Sequence, residues 1–208
     1  MRRGRDFIAR HGETVFNAAR RLQGDHAHTP LTRAGFAQAD AMGRALLALL
    51  GPRPSLTLWA SNTGRALQTL AVIAEHLALD WHDARPDPRL VEIGTGDWGG
   101  RYYADLVGEG AEPVADGGLL NIAPNGETYS QIAARVGSWL QETDADCGDR
   151  LVIMHGISSR VLRGVMTGHA PHPLFAAPIA PALPQGSLVM IENGMETVIH
   201  SGAGHAPA

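Results

Sequence analysis

The chain has no lysine: all 17 of its basic residues are arginines. That absence excludes Schiff-base and pyridoxal-phosphate chemistry, P-loop nucleotide sites and protein kinases, each of which needs a lysine amine. If such a chain handles phosphate, arginine must do it, as a planar fork that stays charged. Cysteine is nearly missing too. The single Cys147 rules out an internal disulfide framework and fits a reducing compartment, so the cytoplasm is the expected location. Long apolar runs are also lacking. "ALLALL" is too short to span a bilayer, "LFAAPIAPAL" is broken by prolines, and "MRRGRDFIARHG" has charge on both sides of a very short apolar run, unlike a secretory signal. Excess positive charge is absent as well. The net charge of −4 argues against nucleic acid as a partner, and the basic "MRRGR" reads as a solvated tail.

What is present is an ordinary globular composition, 44% apolar and 18% charged over 208 residues, read as one domain over 1–208. Strands and helices alternate along it. Residues 5–10 read as a strand. Residues 31–50 read as an amphipathic helix, capped by Thr32 and stopped by Gly51-Pro52. A strand over 56–61 and a helix over 64–79 follow. After a proline-marked turn, "RLVEI" (89–93) reads as a strand leading into a glycine-rich loop. A long helix over 126–145, a buried strand in "RLVIMHG" (150–156), a helix over 158–168 and a Pro-rich loop over 171–184 come next. The chain closes with a hairpin over 187–200 turning at Asn193-Gly194. This order predicts an α/β fold: a three-layer α/β/α sandwich with a mostly parallel central sheet and a C-terminal hairpin.

Two of these strands end alike, in His11-Gly12 and His155-Gly156. Each places an imidazole at a strand's carboxyl end, where such sheets bind ligands, and each is followed by a glycine that lets the backbone turn. If the strands are neighbours, both histidines face one crevice, with helix N-termini beside them. Arg10 precedes His11 on a strand that otherwise looks buried, and Arg65 opens a helix directly after another strand end. Two arginines and two histidines in such places suit a phosphate dianion. Glu92, a carboxylate within the apolar "RLVEI", is either a general acid in apolar surroundings or the salt-bridge partner of a site arginine.

Several tempting patterns have plainer readings. "GTGDWG" (94–99) satisfies a dinucleotide fingerprint formally but opens no long helix. Histidines 26, 28, 169 and 172 lack any metal-ligand spacing, and "DADCGD" lacks that of a calcium loop. No metal and no cofactor is expected.

Taken in order, "RHGE" (Arg10–Glu13), Asn17, Gln23-Gly24, "PLT" (30–32), "GFAQA" (35–39), "RALQT" (65–69), "EIGTGDWGG" from Glu92, "NGETY" (125–129) and His155-Gly156 resemble the histidine phosphatase superfamily, with its phosphoglycerate-mutase-like fold. The resemblance covers nearly the whole chain. It implies that His11 is a nucleophile that becomes phosphohistidine, that Arg10, Arg65 and His155 hold the phosphoryl oxygens, and that Glu92 donates the proton. Asn17, Gln23, Gly24 and Gly156 would line the substrate pocket. The chain departs from the family at His28, where Asp is common, and at Asn62 and Gly64 before Arg65.

The activity implied is a metal-independent phosphomonoesterase, a histidine acid-type phosphatase, acting on a small phosphorylated metabolite. A phosphoglycerate mutase is the alternative. Against it stand the short segment between Glu92 and Gly126, where mutases of the family carry a long insertion, and the missing lysine that they place near the substrate. A non-catalytic phospholigand-binding module would have lost one of the motif residues, and none is lost. Arg20, Arg21, Arg101, Tyr102, Tyr103 and Arg160 are candidates for substrate specificity by position. A small phosphate ester is the expected partner, with neither nucleic acid nor membrane, and a homodimer is compatible with the sequence.

Overall fold

Alternating aliphatic residues in the two "His-Gly" strands feed two separate cores. The computed structural model describes residues 4–204, so the first three residues of the basic opening and the last four of the chain lie outside it. In β1 (Asp6–Arg10), Phe7 and Ala9 join one buried cluster while Ile8 joins the other; in β6 (Asp149–Met154), Leu151 and Ile153 oppose Val152 and Met154 in the same way. The period of two therefore marks a sheet covered on both faces.

Around these two lie β2 (Leu56–Ser61), β3 (Arg85–Asp87), β7 (Leu188–Glu192) and β8 (Met195–His200), in the order β3-β2-β6-β1-β7-β8. The first four strands of that order are parallel; β7 runs antiparallel to β1, and β8 to β7. The hairpin turns at Asn193 and Gly194, both at positive φ (50° and 76°), as a tight two-residue turn requires.

One face is covered by α2 (Arg33–Leu50) and α3 (Gly64–Leu77). Thr32 caps α2 by accepting from the Gly35 amide at 3.0 Å, and Gly51 at φ 73° ends it. Its buried Ala39, Met42, Gly43 and Leu46 recur at helical spacing. The other face is covered by α5 (Tyr129–Glu142) and α6 (Gly156–Met166), with Tyr129, Trp139, Val161 and Leu162 buried against it. Short elements fill the remainder: α1 (Val15–Ala18), α4 (Tyr103–Gly108) and the ribbon of β4 (Val114–Ala115) with β5 (Leu119–Leu120).

Register is pinned at the strand starts. Asp6 lies opposite Arg150 in the parallel ladder, and the two form a buried ion pair. Such pairs are best attested as devices that fix register. Counting forward, Arg10 falls opposite Met154, so the His11 and His155 ends are level.

One expected strand is not formed. Residues 88–90 make a 3₁₀ turn capped by Asp87, whose side chain accepts from the Arg89 amide at 2.8 Å, and 91–95 carry no ladder. Pro88 starts the turn, while the apolar Leu90 and Ile93 are buried without strand pairing. The strand sits earlier, at Arg85–Asp87, an edge position where Pro86 is tolerated.

Candidate active site

His11 and His155 meet at the carboxyl ends of β1 and β6, with ring centroids 5.1 Å apart and planes at 65°. The His11 amide donates to the Met154 carbonyl at 3.0 Å, extending the ladder by one residue. Its Nδ1–H donates to the Gly12 carbonyl at 2.7 Å, which leaves the lone pair on Nε2. His155 is set the opposite way. Its Nδ1 accepts from Arg65 Nε at 3.1 Å, so the ring hydrogen is on Nε2, a buried donor with no partner among the described residues. Burial, and after it the nearby Arg65 charge, holds both imidazoles well below the usual histidine range. Two neutral rings thus face each other, one offering a lone pair and the other a proton.

Arg10 is buried, donates to the Leu183 carbonyl at 2.7 Å, and keeps a buried Nε without a partner among the described residues. Burial takes its pKa down to about 10, against the opposing pull of Glu92. Arg65, also buried, is lowered to about 10 for the same first reason. Besides His155, it donates to the carbonyls of Gly24 and His26, both at 2.6 Å, and to the Thr29 hydroxyl at 2.9 Å. The arginine expected only as a phosphate ligand therefore also fixes the His155 tautomer and the 24–29 loop. Gly64, one of the family departures, helps by donating its amide to Ala27 at 2.9 Å.

The surroundings of Glu92 differ from those expected of it. It sits on the loop after the 88–90 turn, not in a strand, and its carboxylate caps a helix rather than facing apolar surface. Oε1 accepts from the amides of Ile93 (2.9 Å), Ile157 (3.2 Å) and Ser158 (2.8 Å), while Oε2 accepts only from Ile157, at 3.0 Å. A carboxylate at the N-terminus of α6 satisfies otherwise orphaned N–H groups and faces the positive end of the helix dipole. Gly156 leaves room chiefly for Arg10: a Cβ there would lie 3.2 Å from an Arg10 Nη and 3.4 Å from Glu92 Oε2.

A small cavity joins Arg10, His11, Asn17, Gln23, Glu92 and Tyr103, with Gly24 and Gly156 in its wall. Thr14, a residue the sequence reading passed over, organises the polar side. Its amide donates to Asn17 Oδ1 at 3.1 Å, and its hydroxyl lies 2.8 Å from that oxygen and 2.5 Å from Gln23 Oε1. The backbone N–H of Thr14 serves Asn17 Oδ1 and its single hydroxyl hydrogen can serve Gln23 Oε1, so Thr14 ties the two side chains together at the cavity edge. The signal was legible: Thr14 with Asn17 three residues on is a capping box. Tyr103, raised to about 12 mainly by burial and then by Glu92, is the specificity candidate that reaches this cavity.

The other specificity candidates lie elsewhere. Arg160 donates to the carbonyls of Ala180, Gly117 and Gly118, a structural staple. Arg21 donates to Gly100 and stacks between Phe16 and Tyr102; Arg101 pairs with Glu109, and Arg20 is exposed. A broader cleft of about 660 Å³ borders the Glu92 loop, lined by Asp25, His26, Asn125, Glu127 and Arg135 among others. Among the described residues, no group of three or more His, Cys, Asp or Glu side chains is placed to hold a metal ion. Nor, among them, is any helix long and apolar enough to cross a membrane.

Known proteins are similar to this chain in sequence and architecture. The adenosylcobalamin/alpha-ribazole phosphatase of Salmonella typhimurium is 34% identical over 167 residues, 77% of this chain and 79% of that protein. A protein of Yersinia enterocolitica named as a probable phosphoglycerate mutase, GpmB, is 30% identical over 171 residues, 80% of this chain and 76% of its own. The crystal structure of the alpha-ribazole phosphatase from Shigella flexneri has the same fold, with a TM-score of 0.71 over 98% of this chain and 100% of that one, at 24% identity. The model of the histidine phosphatase superfamily, branch 1, matches residues 7–196, and the chain belongs to that superfamily.

Proposed function

We propose that this chain is a metal-independent phosphomonoesterase that acts through a phosphohistidine at His11 on a small phosphorylated metabolite. The observation that carries the reading is the pair of neutral histidines with ring centroids 5.1 Å apart, together with two buried donors, Arg10 Nε and His155 Nε2, that lack a partner among the described residues. His11 Nε2 attacks phosphorus in line as the ester P–O bond breaks, and Glu92 Oε2 gives its proton to the departing alkoxide. The same carboxylate then takes a proton from water, which attacks the phosphohistidine and releases inorganic phosphate. Arg10 and His155 hold the non-bridging oxygens as charge develops, and Arg65 keeps His155 oriented while adding its own charge. The side chains of Asn17 and Gln23, and the backbone at Gly24 and Gly156, complete the pocket.

The activity for which the Salmonella relative is named, a phosphatase, supports hydrolysis over transfer back to a substrate. The chain matches branch 1 of the superfamily, so the expected acid-type label is set aside in favour of a phosphatase. This reading keeps the whole chain, 1–208, as one domain, with the cytoplasm as its location. A phosphate-release screen over phosphorylated metabolites, with and without a chelator, tests it. Activity should survive EDTA and be inhibited by vanadate, a five-coordinate phosphate mimic. Loss of activity in EDTA, restored by a divalent metal, refutes it.

A further inference from the structure

The "NGETY" segment has no role in the chemistry above, yet its Glu127 forms a buried-edge pair with Arg135 on α5 that surrounds the backbone of Glu92. Arg135 Nε donates to Glu127 Oε1 at 2.7 Å, and its Nη2 donates to Oε2 at 3.0 Å. From there the pair reaches three backbone groups. Arg135 donates to the carbonyls of Arg89 (2.6 Å) and Glu92 (3.4 Å), and Glu127 Oε2 accepts from the Gly94 amide at 3.2 Å. The Glu127 amide adds a fourth tie, donating to the Gly94 carbonyl at 2.8 Å. Both side chains are mostly buried, at 16% and 21% exposure, so these are not solvent-screened surface contacts.

Residues 91–95 have no strand ladder, and the Ile93 amide is spent on the Glu92 carboxylate itself. Something other than a sheet must therefore fix where Glu92 points. We propose that Glu127 and Arg135 are positioning residues. They clamp the loop on both sides of Glu92, so that Oε1 stays on the α6 amides and Oε2 stays toward Arg10 and the His11 cavity. This rests on the phosphatase reading, in which Glu92 is the proton donor.

A proton donor matters for a poor leaving group and little for a good one. Glu127→Gln keeps the volume and loses the charge; Arg135→Lys keeps the charge and loses the fork. Each should slow phosphorylation of the enzyme by an alkyl phosphate such as glycerol phosphate by roughly 10- to 100-fold, the scale of a small misplacement. Phosphorylation by nitrophenyl phosphate should change by less than about 3-fold. In a Glu92→Gln background, the same substitutions should have little further effect on the alkyl ester. Exchange of the Ile157 and Ser158 amides, which bond Glu92, should quicken in either variant, a readout that needs no activity. Equal slowing with both esters, full multiplication in the double variants, or unchanged amide exchange overturns the clamp. A wild-type chain inactive on both esters removes the phosphatase reading, and this one with it.

Discussion

Acid should destabilise this fold through its two site histidines, by an amount that the structure sets. His11 and His155 are buried, and both are held well below the usual histidine range. In the unfolded chain each binds a proton below about pH 6.5; in the native state neither does until the pH is much lower. The unfolded state then holds more protons, so stability rises with pH. The histidine contribution is complete above about pH 6.5 and is lost as pH falls below it. Between about pH 7.5 and 5.5 each ring costs about 1.4 kcal/mol, and the pair about 2.7 kcal/mol.

The comparison is urea unfolding of wild type and His155→Gln at both pH values. Glutamine retains an oxygen to accept from Arg65 Nε and removes the titration. The variant should lose about 1.4 kcal/mol less than wild type over that interval. An identical pH dependence in the two proteins would show that His155 titrates in the native state as it does unfolded, and the neutral-pair geometry would fail.

Glu92→Gln should slow phosphorylation by an alkyl phosphate roughly 10²- to 10⁴-fold while hardly affecting nitrophenyl phosphate. Slow hydrolysis of the phosphoenzyme should then appear as a nitrophenol burst; equal slowing with both esters assigns the acid elsewhere. Gly12→Ala should destabilise by about 1–3 kcal/mol, because its Cβ would lie 2.2 Å from the Gly35 carbonyl oxygen at the start of α2. Thermal unfolding reads this directly, and an unchanged midpoint would mean that the loop is not pressed against α2.

The sequence revealed those features whose cause is local. Thr32 and Gly51 bound α2, Asn193-Gly194 makes the hairpin, and each His-Gly strand end was read from its own strand; that the two ends lie level depends on the distant pair of Asp6 and Arg150, which the sequence did not reveal. The Glu92 loop was misread because burial and strand pairing usually coincide. There, Leu90 and Ile93 are buried while the backbone is held by side chains from α5 and from Glu127. Arg65 was recognised, but its bonds to Gly24, His26 and Thr29 depend on a loop far away in sequence. Arg160 illustrates the opposite error. An arginine four residues beyond Gly156 looked like a substrate contact, yet its length is used to reach carbonyls on two distant loops.

The central claim is that phosphorus bonds to His11. Rapid acid-free quenching after mixing with radiolabelled nitrophenyl phosphate, followed by peptide mapping, tests it most directly. The account predicts an acid-labile, alkali-stable phosphoryl group on His11, absent from a folded His11→Ala variant that has also lost turnover. A phosphoryl group on another residue, or steady turnover with no phosphoenzyme at any time point, would contradict it.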